Sequence, residues 1–384
     1  MTAPRFLGLQ GLVFALVAAA LTTVYITQPV LPVLRQEFGV SASLASLTVS
    51  AVILGIALAN LPFGTLADRY PVRPLIMLGG VVVAACSLFC AATGSLSLLV
   101  GARFIQGLFI PALTTCLAAY LSRSLPVERL NVVMGSYVSA TVVGGLGGRL
   151  LGGWIHPPLH WRYAFVSAAI LVLAATLAAS RWLPQDEGVA EAARPAAGFR
   201  HLLGRRDLRQ NYLVTFGTMF VFASLFNYLP FYLAGPPFHA STHLITLMYL
   251  SYLVGILTGP MAGWLSNRFG NGGTMALGAA TFALAILLTF IHSILAILAA
   301  LALVCAGHFS IHAAAVGSLN RKLTAQRGQA NSLYVLFYYL GGAAGISASG
   351  YAYTLAGWPG VGALGIVMLS LPLVIGLKER REGA

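Results

Sequence analysis

Gly64-Thr65-Leu66-Ala67-Asp68-Arg69-Tyr70-Pro71-Val72-Arg73 interrupts an otherwise apolar stretch of the chain. One acid and two arginines stand at the end of one membrane-length hydrophobic run and just before the next. The whole chain has only 9 acidic residues. A charge cluster in so apolar a chain is costly unless it lies at a membrane boundary and does a job there. A degenerate copy, Gly263-Trp264-Leu265-Ser266-Asn267-Arg268-Phe269-Gly270, follows 199 residues later, counted from Gly64 to Gly263. The recurrence points to a duplicated architecture.

Composition sets the solvent. The 384 residues are 58% hydrophobic and 8% charged, with mean hydropathy +0.86, and a water-soluble protein cannot hide that much apolar surface. The net charge of +13 raises the question of nucleic acid, but the arginines are scattered between apolar runs with no basic stripe or recognition motif. Cys86, Cys90, Cys116 and Cys305 all fall inside apolar runs. They form neither a disulfide framework nor a metal spacing and read as small packing residues. Residues 1–30 resemble a signal peptide, with Arg5 before an apolar stretch, yet the run continues to Pro32 and reads as a retained first span.

A span needs about 20 apolar residues. Runs of that kind lie near 7–34, 44–66, 75–93, 97–121, 131–154 and 162–183, and again near 211–234, 242–265, 275–292, 294–318, 331–355 and 361–377. The expected fold is therefore all-α and integral to the membrane, with twelve transmembrane helices in two pseudo-symmetric six-helix bundles. The bundles cover 1–183 and 211–384, and a linker of soluble-protein composition covers 184–210. Lysines and arginines in alternate loops set the orientation. The side bearing both termini carries 18 of them, counted from Arg5, the 64–73 segment, the linker region and the later loops through Arg381. The opposite side carries Arg35 and Arg162. Both termini and the linker are expected in the cytoplasm.

The halves echo one another. Leu31-Pro32 ends span 1 and Leu229-Pro230 sits equivalently in span 7, while Gly107-x-Phe109 in span 4 matches Gly307-x-Phe309 in span 10. Parallel halves of this kind point to a transporter with its site between them. Small residues recur every fourth position in span 5 (Gly144, Gly148, Gly152), span 8 (Gly255, Gly259, Gly263), span 2 (Ala51, Gly55, Ala59) and span 11 (Gly341, Gly345, Ser349). Such ridges let helices approach closely, and their matched positions suggest close contact between the halves.

With these residues in view, the chain resembles the major facilitator superfamily over essentially its whole length. Gly64-x-Leu66-Ala67-Asp68-Arg69 with Arg73 is similar to that family's signature between spans 2 and 3. Arg103-Phe104-Ile105-Gln106-Gly107 is similar to its span 4 motif, and Gly144-x-x-x-Gly148-Arg149-x-x-Gly152-Gly153 to its efflux motif. Tyr25-x-Thr27-Gln28-Pro29-x-Leu31-Pro32 resembles the opening of sugar and multidrug efflux permeases in the twelve-span drug:proton antiporter group. Two positions depart from the pattern: Arg149 stands where the efflux motif has Pro, and Pro71-Val72 where the signature has Gly and a basic residue.

The resemblance implies a secondary active transporter of the bacterial-type inner membrane. It would export small drug- or sugar-like compounds against protons by alternating access, as a monomer, with the lipid bilayer as its other partner. No cofactor, metal or nucleic acid is implied. Proton-coupled uptake of a small organic or anionic solute is the alternative. A membrane enzyme or receptor is disfavoured, because no HExxH, GxSxG or paired-acid motif occurs and the linker is too short for a soluble domain. Gly64, Asp68, Arg69, Arg73 and Arg268 are the candidate gating residues.

Asp68 faces the end at which span 11 begins near Asn331, and a helix N-terminus attracts an anion by roughly 0.3–1 kcal/mol when exposed, up to about 2 when partly buried. The resemblance turns that contact into a latch released by protonation. Coupling candidates are Arg103, Gln106 and Arg149, with His308 and His312 four residues apart on one face of span 10. No acid lies within any predicted membrane core. Tyr25, Gln28, Asn227, Tyr228, Tyr249, Tyr252, Tyr334 and Tyr338 are the candidate cavity lining, which suits neutral or anionic amphiphiles better than cations. Asp68→Asn is expected to slow transport while the protein still folds; wild-type rates from the folded variant would remove the latch.

Overall fold

A backbone amide in hydrocarbon has no water to bond, so each apolar run closes its hydrogen bonds internally as a helix. The computed structural model describes residues 3–184, 199–323 and 326–382, and no strand occurs among them. Asp186, Glu187, Glu191 and Arg194 of the linker lie outside the described residues, as do the side chains of Arg5, Glu128, Gly259 and Arg327.

The helices in chain order are α1 (Ala3–Thr22), α2 (Leu31–Glu37), α3 (Ala42–Arg69), α4 (Val72–Ala92), α5 (Leu96–Ser124), α6 (Val127–Ile155) and α7 (Arg162–Trp182). They continue as α8 (Phe199–Gly204), α9 (Arg206–Ala234), α10 (Thr242–Met248), α11 (Val254–Leu288), α12 (Ile294–Arg321) and α13 (Arg327–Glu382). Twelve spans result: α1 with α2, the five from α3 to α7, α9, α10 with the first part of α11, the rest of α11, α12, and the two parts of α13.

One span and two turns take forms that the apolar runs did not specify. Span 1, read as one run over 7–34, breaks after Thr22 and resumes through a 3-10 turn at Gln28–Val30. The turn between spans 8 and 9 is a kink inside α11 at Gly270 (φ 72°). The turn between spans 11 and 12 is a kink inside α13 at Gly357 (φ 61°). Both kinks need a left-handed backbone, which glycine adopts at no steric cost.

The chain forms two compact units. The first combines residues up to Val30 with those from Ala51 through α7, and the second combines Leu31–Ser50 with α8 onward. In the first, α4 packs on α5 and α7, and α1 on α6. In the second, α13 lies along α9 and α11 packs on α12 and α13.

The small-residue ridges serve this packing within the units. A methyl group at Gly144 or Gly148 would overlap the α1 carbonyls of Ala18 or Thr22, and one at Gly152 the Ile26 carbonyl just beyond α1. One at Gly341 or Gly345 would overlap the α9 carbonyls of Phe216 or Phe220. Gly55 meets α5 in the same way, whereas Gly263 has nothing within 4 Å. At Gly55, Gly144, Gly148, Gly152, Gly341 and Gly345 backbones meet inside one unit, because without a side chain two helices approach until their main chains touch.

Gly147 supplies an internal comparison, since a methyl there would rest 3.5 Å from Thr22 Oγ1 in ordinary contact. Gly148→Ala is expected to destabilise the protein by about 1–3 kcal/mol through overpacking, and Gly147→Ala to leave it unchanged. Thermal unfolding in detergent reads both, and equal stabilities would show that α1 and α6 can separate freely.

Candidate transport and coupling sites

In the first unit the site begins at the break in α1. Beyond Thr22 the carbonyls of Thr23 and Val24 turn out of the helical ladder at membrane depth. Arg103 on α5, fully buried, answers both. One terminal nitrogen donates to the Thr23 carbonyl at 2.6 Å and the other to the Val24 carbonyl. Arg103 also donates to Gln106 Oε1 one turn along α5. Gln106 Nε2 then donates to Ser87 Oγ on α4 at 2.7 Å. One chain of hydrogen bonds thus ties α1, α5 and α4. The arginine does not snorkel to an interface; its fork replaces water as the partner of two carbonyls.

Arg149 on α6 is equally buried. Its Nε donates to Gln28 Oε1 at 2.7 Å and a terminal nitrogen donates to the Gly145 carbonyl at 2.7 Å. Its guanidinium lies 3.9 Å from the centre of the Tyr25 ring, the stacking that suits a planar cation. Gln28 Nε2 is buried with no hydrogen-bond partner among the described residues. Three candidates taken separately from the sequence, Tyr25, Gln28 and Arg149, thereby form one cluster.

The 64–73 segment is helical through Arg69 and turns at Tyr70-Pro71 before α4. Arg123 at the end of α5 donates to Asp68 Oδ1 at 3.3 Å and to the Ala67 carbonyl at 2.7 Å. Arg73 donates to the Leu183 carbonyl. Arg69 is exposed, and Gly64 is half-exposed with room for a side chain. Arg123 was counted for orientation only; its role beside Asp68 depends on α5 returning to the same end as α3.

In the second unit His308 and His312 do share one face of α12, with ring centres 6.3 Å apart. Phe222 on α9 stacks on His308 at 3.8 Å, and His308 Nδ1 has no hydrogen-bond partner among the described residues. The Tyr334 hydroxyl lies 3.0 Å from His312 Nδ1, and the Tyr338 ring is 5.4 Å from the His312 ring. Tyr252 meets Phe222 edge-on at 5.3 Å. Tyr249 donates to the Phe226 carbonyl at 3.0 Å and Tyr228 to the Ile346 carbonyl at 3.0 Å. Asn227 donates to Ser46 Oγ at 2.8 Å. Phe222 with Tyr252 on the His308 side, and Tyr334 with Tyr338 on the His312 side, join the histidines in one aromatic cluster, while Asn227 and Tyr228 sit apart with 31–50. Phe222 was missed in the sequence because a lone phenylalanine among many carries no mark of its own.

Twelve helical spans in two units, with arginine and histidine buried at membrane depth, define a multi-pass membrane transporter. The family model described as Major Facilitator Superfamily matches residues 13–246 and 235–383, and the chain belongs to that family. It is accordingly a secondary transporter and not an enzyme. It is similar to the inner membrane transport protein YnfM of Escherichia coli (strain K12), with 29% identity over 383 residues, spanning 99% of this chain and 92% of that protein. The uncharacterized MFS-type transporter YybF of Bacillus subtilis (strain 168) is 28% identical over 384 residues, spanning 96% and 92%. Among solved structures, an inward-facing, unoccupied bacterial homolog of the human lysosomal transporter Spinster superposes with TM-score 0.77 at 15% identity, covering 99% of this chain and 94% of the other. The human organic anion transporter MFSD10 superposes with TM-score 0.71 at 19% identity, covering 98% and 100%.

Arg103→Lys keeps the charge but cannot span two carbonyls and Gln106. Losing one charged hydrogen bond is expected to cost about 1.5–3 kcal/mol. Thermal unfolding of purified protein measures this, and an unchanged midpoint would show that Arg103 does not hold the α1 break.

Proposed function

We propose that this transporter exports small drug- or sugar-like compounds in exchange for protons by alternating access, working as a monomer in a bacterial-type inner membrane with both termini in the cytoplasm. The six-span bundles are 1–183 and 211–384, joined by the linker 184–210. The observation that carries proton coupling is the His308–His312 pair, with His308 buried and His312 half-buried, since the predicted membrane cores contain no acid. The groups facing the pair are Phe222 from α9 and Tyr334 and Tyr338 from α13. An imidazole in such a place holds a proton only while something stabilises its charge. The His308 Nδ1 without a partner and the Tyr334 hydroxyl beside His312 are the atoms at which a proton would arrive and be held.

Asp68 with Arg69, Arg73 and Arg123 acts as the gate, biasing the exchange between open states by the strength of its charge contacts. Arg103 and Gln106 keep the α1 break in shape, and Arg149 over Tyr25 offers the substrate a cationic, aromatic face. Arg149 in place of proline in the efflux motif favours a second reading, proton-coupled uptake of an anionic solute.

Purified protein in proteoliposomes with an internal pH dye separates these readings when challenged with sugars, organic acids and lipophilic drugs. Export by exchange requires protons to move opposite to the substrate. His308→Ala with His312→Ala is expected to abolish that proton movement while substrate still binds. Proton flow along with the substrate would convert the reading to uptake, and undiminished flux in the double variant would take the role from the histidines.

A further inference from the structure

The degenerate copy at 263–270 lacks the acid that the first copy carries. In the first unit Asp68 has Arg123 at 3.3 Å. In the second, Asn267 stands where the acid would be, and Arg268 lies over aromatic rings instead, 5.5 Å from Trp264 and 5.4 Å from Phe269.

More cations converge there. Arg321 and Lys322 close α12, and Arg380 lies in the last turn of α13. With Arg268, Ser318 and Glu379 they line a cavity of ≈ 440 Å³. One acid answers one cation in it: Lys322 Nζ lies 2.7 Å from Glu379 Oε2, and Ser318 Oγ donates to the other carboxylate oxygen at 2.6 Å. Among the described residues, no carboxylate comes within ion-pair distance of Arg268, Arg321 or Arg380. Helix C-termini tolerate cations, which explains each arginine singly. It does not explain why three from separate helix ends share one cavity.

Beyond the kink the second part of α11 begins at Asn271 and Gly272, which line the same cavity. Trp264 and Phe269 beside it are 58% and 43% exposed, the exposure of side chains that face acyl chains at a membrane boundary. Guanidinium groups bind phosphate oxygens bidentately.

We propose that this cavity is a phosphate-binding site for the headgroup of an anionic phospholipid, whose acyl chains lie against Trp264 and Phe269. The phosphate supplies the negative charge that Glu379, paired with Lys322, does not bring to Arg268, Arg321 and Arg380. The site stands apart from proton coupling and from the direction of transport.

The test uses the full-length protein, purified and stripped of lipid in detergent, with thermal unfolding and native mass spectrometry as readouts. Phosphatidylglycerol is expected to raise the unfolding temperature and remain bound, and phosphatidylcholine to do neither. Arg268→Gln with Arg380→Gln is expected to weaken phosphatidylglycerol binding about tenfold or more, while Arg200→Gln, an exposed charge elsewhere, leaves it unchanged. Should the double variant fail to fold, Arg268→Gln alone carries the comparison. Inorganic phosphate producing the same arginine-dependent shift would overturn the lipid as source. A phosphatidylglycerol effect untouched by these substitutions, or shared by phosphatidylcholine, would overturn the site itself.

Discussion

A carbonyl oxygen released from a helix inside hydrocarbon has no water to accept from, and much of the first unit follows from that. The chain breaks α1 after Thr22 all the same. It can do so because Arg103 brings a planar fork of donors from α5 to the Thr23 and Val24 carbonyls. The guanidinium in turn is tolerable in a low-dielectric place because those carbonyls and Gln106 solvate it. The two features are mutually dependent: neither the open backbone nor the buried cation would persist alone.

The same demand sets the helix contacts. Between lipid-facing helices there is no hydrophobic drive to associate, so close packing and hydrogen bonds supply the adhesion. Gly148 and Gly152 on α6 bring the main chain of α1 and of the residues just beyond it into contact, and Gly341 and Gly345 on α13 do the same for α9. The glycines place α6 so that Arg149, between two of them, stacks on Tyr25 just past the α1 break. Packing and site are thus the work of one helix face.

The two units divide their chemistry unequally despite the repeat in sequence. The first buries permanent cations, Arg103 and Arg149, against carbonyls and an aromatic ring. The second places His308, buried, and His312, half-buried, whose charge depends on pH, among Phe222, Tyr334 and Tyr338. At the helix ends the asymmetry is similar, with Asp68 beside Arg123 in one unit and Asn267 next to an arginine lacking a carboxylate in the other.

Fold class, span count and family were legible in the chain, because twenty-residue apolar runs and charged turns are local patterns that a bilayer imposes residue by residue. The pairing of His308 with His312 was legible too, since four residues on a helix always share a face. The break in span 1 was not, because residues 23–27 contain neither glycine nor proline to mark it and only the arrival of Arg103 makes the opening tolerable. Nor was the destination of the glycine ridges: spacing says that a face is smooth, not which helix lies on it. Sequence alone determined where the chain must cross the membrane, through hydrophobicity and charge counted along it. Tertiary structure alone decided which carbonyl meets Arg103, which ring lies beneath Arg149 and which side chains enclose the histidines. These contacts join residues far apart along the chain, 80 positions for Arg103 and Thr23 and 121 for Arg149 and Gln28, and no local pattern encodes them.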